Sequence, residues 1–434
     1  MIIIKKKFLE KTIIKLVKLL DKMEKLQNIT LSEEYIDEEK NWITPNYTPI
    51  PAVLSKGEGV WVWDVDGKKY LDCLSAYSAV NQGHRHPKII EAAKTQMDRI
   101  TLTSRAFFND QLGSFMKKLC QYSGMEMACP MNTGAEAVET ALKIARRWGY
   151  WKKGVTENKA EIIVVNENFH GRTITIVGFS DDPDTHGGFG PATPGFKIIP
   201  YQDINALKKA INKNTVGFMI EPIQGEAGVI VPYNGYLKEV RKVCDDNNVL
   251  MILDEIQTGF ARTGKRFAFE HEGIKPDILI VGKALGGGLF PVSAALGKKE
   301  ILSVLTSGSH GSTFGGNPFA CAVGSAAIDV LIEENLAENA DNLGAYFKNR
   351  LMELPKDIIK EVRGKGLLLA IQFNEKGGKA KKYVLEMKKR GLLAKQTHVH
   401  TIRFAPPLII SKEEIDFACD IIRDSINYVK SKLI

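Results

Sequence analysis

Val249-Leu-Met-Ile-Leu-Asp254-Glu255-Ile-Gln257-Thr-Gly259 and, farther along, Asp277-Ile-Leu-Ile-Val-Gly282-Lys283-Ala-Leu-Gly-Gly-Gly288 decide the fold of this chain. Each is a short apolar run, rich in leucine and β-branched residues, that stops abruptly at polar residues and glycine. Such runs read as strands buried on both faces of a parallel sheet. In open α/β sheets, ligands collect beyond the carboxyl ends of the strands. Asp254 leaves one strand and Lys283 another, so both are expected at the same rim.

Outward from this pair, strand and helix alternate. Ile162–Val165, Ile174–Gly178, Val216–Ile220 and Val292–Leu296 join the two central runs as strand candidates, with helices expected over 203–211 and 235–247. The alternation predicts an α/β fold, a mostly parallel sheet flanked by helices. Before it come helical patterns over 87–99 and 110–122, and the stretch from Met131 opens a strong helix running to about Trp148. Val60–Leu71 reads as a hairpin around an Asp-Gly turn. Past Asn317-Pro318 the character changes to long helices and the segment Val362–Phe373, which predicts a smaller α+β domain. The expected division is an N-terminal segment over 23–77, a large domain over 78–325 and a small domain over 326–434.

Length and composition permit this. At 434 residues, with 44% hydrophobic and 25% charged content, the chain is long enough for two cores and has ordinary globular composition. The net charge of +8 is concentrated at the start, where residues 1–22 hold seven lysines against Glu10 and Asp21. The remainder is close to neutral, which excludes the footprint of a nucleic-acid binder. Six scattered cysteines without CxxC or Cys/His spacing imply reduced thiols in a cytoplasmic protein and no metal site. Residues 1–22 are basic and amphipathic but too broken by lysine to span a membrane. An atypical extension ahead of Met23 is preferred to a presequence or a membrane-surface helix, so membrane contact is not expected.

Three handles converge in this reading. Thr133-Gly134-Ala135 opens a helix, whose free N–H groups and dipole favour an anion; a plain cap is the competing reading. A lysine desolvated at a strand end is nucleophilic toward carbonyls, whereas most lysines are merely solvated. Asp254 is either a cap or a partner for a ring nitrogen, with Gln257 within reach of the same ligand. An acid, an amine and an anion site together suit a phosphorylated pyridine aldehyde.

Leu253–Gly259, Gly282–Gly288 and His310-Gly-Ser312-Thr313-Phe-Gly-Gly-Asn-Pro318, in that order, resemble the class III aminotransferases of fold type I, which use pyridoxal 5′-phosphate. The likeness runs from about residue 42 to the C-terminus. It implies that Lys283 bonds the cofactor and that Asp254 holds its pyridinium proton. Gln257 would meet the ring hydroxyl, Phe169 would stack on the ring, and His170 would border it. Thr133, Gly134 and Ala135 from one subunit, with Ser312 and Thr313 from the other, would hold the phosphate. Shared active sites would make the protein a homodimer or a higher oligomer.

Within the class, the ornithine-type members are the nearest likeness, through Asn46-Tyr47, Ser75–Gly83, Glu221–Gly228, Phe169–Thr173 and Ile402–Leu408. Small amino-acid and 2-oxo-acid substrates are implied, with N-acetylornithine and 4-aminobutyrate as alternative donors. Tyr47 and Arg172 would hold the α-carboxylate of ornithine and Tyr77 would wall the pocket. Glu226 would mask Arg403 until a 2-oxo acid enters. His84 and His86 read as turn residues rather than metal ligands, and His398 and His400 as structural residues rather than pocket lining.

Overall fold

The computed structural model describes residues 30–432 together with Lys15. The reading of residues 1–22 therefore falls outside the described residues, that lysine excepted. Of the described residues, 30–57 and 62–70 form one compact unit, and 58–61 with 71–432 form the other.

In the first unit, helix Leu31–Trp42 starts at a capping box in which Thr30 and Glu33 satisfy each other's backbone N–H groups. The expected Asp-Gly hairpin turn is present. Gly67 takes the left-handed φ of +83° that the turn demands, and Asp64 accepts from the Lys68 N–H at 2.8 Å and the Tyr70 hydroxyl at 2.6 Å.

The second unit is built on a seven-stranded sheet. Its strands in chain order are β1 (Met127–Met131), β2 (Glu161–Val165), β3 (Phe196–Ile199), β4 (Thr215–Ile220), β5 (Leu250–Asp254), β6 (Ile278–Val281) and β7 (Ser293–Gly297). They lie in the order β1-β7-β6-β5-β4-β2-β3, and only β7 runs against its neighbours. Every residue of β4, β5 and β6 is buried, as expected for strands covered on both faces. Helix Gly134–Trp148 sets Ala137, Val138, Ala141, Ile144 and Ala145 into a core with Ile162, Val164, Ile252, Ile278 and Ile280. Its small residues let the helix lie close to the sheet.

The edge strands β1 and β3 carry no clear strand pattern. Pro130 interrupts β1, and proline is tolerated there because an edge strand needs hydrogen bonds on one side only. The expectation of a strand at Ile174–Gly178 is corrected: Ile174–Val177 is a short helix capped by Thr173. A four-residue β-branched run looks alike in both states, and here the cap decides.

Toward the C-terminus, β8 (Ile359–Lys365), β9 (Leu368–Phe373), β10 (Lys395–Thr397) and β11 (Thr401–Phe404) form an antiparallel sheet in the order β8-β9-β11-β10. Helices Leu336–Met352, Ala380–Lys389 and Lys412–Lys430 accompany it. Among the described residues, no helix is long and apolar enough to cross a membrane. No group of three or more His, Cys, Asp or Glu side chains among them is arranged to hold a metal. No cysteine is disulfide-bonded.

Candidate active site

Strands β5 and β6 are parallel neighbours, with Asp254 in register with Ile280. Asp254 ends the first and Lys283 follows the second, so the two reach one rim as the sequence predicts. Between them lies a cavity of about 210 Å³ lined by Gly134, Ala135, Phe169, His170, Asp254, Gln257 and Lys283 among others.

The turn after β5 is fixed by Glu255. Its fully buried carboxylate accepts from the Ala268 N–H at 2.7 Å, the Phe269 N–H at 2.9 Å and the Thr258 hydroxyl at 2.9 Å. Burial nonetheless raises its pKa to about 7. With Glu255 drawn inward, Asp254 and Gln257 are left facing the cavity. Asp254 accepts from the Ile256 N–H at 3.1 Å and from His170 Nδ1 at 2.7 Å. Burial disfavours the charged imidazole, but the hydrogen bond and charge of Asp254 outweigh it and raise the His170 pKa. Among the described residues, His170 Nε2 is buried without a partner. Glu221, which accepts from the Phe169 N–H at 3.0 Å, is pushed up to about 7 by burial.

Lys283 has a left-handed φ of +47°, an uncommon backbone conformation for a residue other than glycine. Burial lowers its pKa against the opposing pull of Glu226, which favours the free amine over the ammonium. Helix Gly134–Trp148 begins beside it. Thr133 is a genuine cap, its hydroxyl accepting from the Glu136 N–H. A Cβ on Gly134 would come within 2.9 Å of Ile256 Cδ1, so glycine sets how closely the helix N-terminus approaches the turn after β5.

Glu226 and Arg403 pair at 2.7 Å although they lie far apart in sequence. Gln257 bridges them, accepting from Arg403 at 3.1 Å and donating to Glu226 at 3.1 Å. Burial would raise the Glu226 pKa; the Arg403 charge overcomes this and holds it at about 2. Gln257 thus lines the cavity while its amide is engaged by the ion pair. Tyr77 lies under the same guanidinium, 5.1 Å from Arg403 Cζ to its ring centre. It belongs to four successive left-handed residues, Ser75–Ser78. Just beyond them, the Asn81 and Gln82 amides anchor the chain to the Phe260, Ala284 and Ala327 carbonyls. The fully buried Arg262 ties Asn81 to the Leu367 and Pro406 carbonyls.

Not all expected residues converge. Arg172 is exposed, its guanidinium 5.7 Å from the Phe169 ring centre. Ser312 receives hydrogen bonds from Asn132 and the Gly315 N–H of its own chain, Thr313 is exposed, and neither lines the cavity. Tyr47 belongs to the N-terminal unit and is 70% exposed. His84 and His86 are held by Asp72 and Glu334 at 2.8 and 2.9 Å, and His400 by the Gly378 carbonyl at 2.9 Å. Glu255 and Arg262 escaped sequence reasoning, because nothing local distinguishes a buried charged side chain from a surface one.

The family model described as class-III aminotransferase matches residues 42–426. The chain belongs to the class-III aminotransferases. An ornithine aminotransferase of Brevibacillus brevis is 59% identical over 89% of this chain and 96% of its own length. Another, of Macrococcus caseolyticus, is 56% identical over 90% and 98%. The structure of an ornithine aminotransferase from Toxoplasma gondii superposes with a TM-score of 0.91 at 42% identity, covering 94% of this chain and 98% of that one. An acetylornithine aminotransferase from Elizabethkingia anophelis gives 0.83 at 48%, covering 92% and 100%.

Class-III aminotransferases use pyridoxal 5′-phosphate, and the cavity of this aminotransferase fits it. A carboxylate locked by His170 awaits a cationic N–H, an amine of lowered pKa stands at the same rim, and a helix N-terminus supplies anion-binding N–H groups.

Proposed function

We propose that this aminotransferase moves the δ-amino group of L-ornithine to 2-oxoglutarate, giving glutamate 5-semialdehyde, which cyclises to pyrroline-5-carboxylate, and glutamate. The observation that carries the reading is the Glu226–Arg403 pair, joined through Gln257 to the cavity of Asp254 and Lys283. When bound, pyridoxal phosphate supplies an aldehyde that condenses with amines and a ring that accepts the electrons released by deprotonation. Asp254 would hold the proton of the ring nitrogen, and His170 keeps Asp254 oriented. Phe169 would cover a ring face, and Gly134 and Ala135 would receive the phosphate. Lys283 would bond the cofactor between turnovers and, once displaced, would carry the proton that leaves the substrate carbon.

The ion pair accounts for two unlike substrates at one site. While Glu226 neutralises Arg403, the inner pocket offers no net charge to a carboxylate. The α-carboxylate of ornithine is then left to Arg172, and its δ-amine enters. A 2-oxo acid must present its keto end instead, and its α-carboxylate draws Arg403 away from Glu226 into a two-pronged contact.

Thr313, exposed and outside the cavity of its own chain, fits a role in a partner's phosphate site, so we take the enzyme to be a homodimer with shared sites. Its unbonded cysteines accord with work in the cytoplasm. The likeness to an acetylornithine aminotransferase makes N-acetylornithine the competing donor. Steady-state kcat/KM for ornithine, N-acetylornithine and 4-aminobutyrate with 2-oxoglutarate decides. Ornithine is expected to lead by at least about tenfold, roughly one charge-assisted contact, and preference for another donor would sink the assignment.

A further inference from the structure

Beyond the Glu226–Arg403 pair stands a second cation that the exchange just described does not use. Strands β10 and β11 are antiparallel with Lys395 directly opposite Arg403. Residues opposite each other in such a pair share one face of the sheet, and like charges there repel. Both nonetheless converge on Tyr77: Lys395 Nζ is 4.8 Å from the ring centre and Arg403 Cζ 5.1 Å from it. The Lys395 ammonium also donates to the Tyr77 hydroxyl. Two residues along the same strand, the Thr397 hydroxyl donates to the Glu226 carbonyl. One short strand therefore contacts both the tyrosine under Arg403 and the backbone of the acid that masks it. Arg403 is 2% exposed and, among the described residues, its Nε is buried without a partner.

The geometry points to Lys395 as a specificity-determining residue for the 2-oxo-acid half of the reaction. By holding Tyr77 and pressing its like charge on Arg403, it obliges the guanidinium to keep an anion, which is Glu226 in one half and a substrate carboxylate in the other. With Arg403 turned to substrate, the strand that carries Lys395 still holds the Glu226 backbone through Thr397, and Lys283 is the cation that acts on the displaced carboxylate. The inference rests on the exchange proposed above and assigns its second half to a residue that touches neither the cofactor cavity nor the ion pair directly.

The test separates the halves. Rapid-mixing rates of the holoenzyme are measured with ornithine alone and, after conversion to the amine form, with 2-oxoglutarate alone. Glutarate, a dicarboxylate without the keto group, is titrated by calorimetry. Lys395→Met is expected to raise the glutarate Kd about tenfold, the scale of one interaction with a charged group. It should lower kcat/KM for the 2-oxo-acid half about tenfold more than for the ornithine half. Lys395→Arg should recover most of both, and Tyr77→Phe should move both in the same direction by a smaller factor. Lys395→Gln gives the same reading if the methionine disturbs folding. Equal losses in the two halves, or an unchanged glutarate Kd, would overturn the inference. A wild-type enzyme that ignores ornithine or 2-oxoglutarate would instead overturn the proposed function, while the glutarate titration still reads Lys395.

Discussion

Gly225 is where a single missing atom matters most. A Cβ there would lie 1.6 Å from Gln257 Oε1, so alanine must displace the amide that bridges Glu226, Arg403 and the cavity. Gly225→Ala is expected to leave the fold intact and to reduce kcat/KM of both half-reactions by roughly 10- to 100-fold, the loss of one or two charge-assisted hydrogen bonds. Half-reaction rates beside a melting curve check it; full activity would mean that the bridge is dispensable. Glu221 makes a different prediction. Burial lifts its pKa from the ordinary carboxyl value to about 7, so the folded state binds more protons than the unfolded one between about pH 4.5 and 7. Stability contributed by this group therefore falls as pH rises through that window. The span corresponds to a cost of about 3 kcal/mol at pH 8. His170, its pKa raised, adds a loss of the same sign as pH climbs. Glu221→Gln should lose less melting temperature between pH 5 and pH 8 than the parent protein does, by a few degrees. An identical pH dependence in both proteins would refute the protonation scheme.

At the scale of elements, the cap of helix Gly134–Trp148 links stability to the anion site. Thr133 and Glu136 satisfy each other's N–H groups there, and Thr133→Ala is expected to cost about 1 kcal/mol, read as a lowered denaturant midpoint. Because the cap also fixes the N-terminus of the helix, cofactor affinity should fall with it; a variant equally stable and equally loaded would show that neither depends on the hydroxyl. This helix was legible in the sequence from its long periodic pattern, and β4, β5 and β6 from apolar runs bounded by polar residues or glycine. Asp254 and Lys283 followed from the strands they end. Less legible were β1 and β3, edge strands with weak patterns, and Ile174–Val177, where a cap outweighed β propensity. The Glu226–Arg403 contact spans segments far apart in the chain, and family resemblance rather than spacing suggested it. The contacts of Glu255, Arg262 and Lys395 are set by tertiary packing alone, and no local pattern announces them.

On the scale of the whole molecule, the expected sharing of sites between subunits has a consequence that no single-chain variant can show. Lys283 borders the cavity of its own chain, whereas Thr313 does not. If Thr313 completes the phosphate site of a partner, each site draws its lysine from one subunit and its threonine from the other. Lys283→Ala is expected to retain the cofactor and lose turnover by at least about 10³-fold. Thr313→Ala should weaken cofactor binding and be poorly active at limiting cofactor. Mixing the two inactive proteins with subunit exchange creates heterodimers in which one site carries both defects and the other carries neither. Random reassortment makes about half the dimers mixed, so activity should rise to about a quarter of the parent level at limiting cofactor, from symmetry and counting alone. If Thr313 served its own chain, every site in the mixture would contain one of the two defects and mixing would restore nothing. The amplitude of recovery after exchange, set against the same proteins assayed separately, distinguishes the two arrangements.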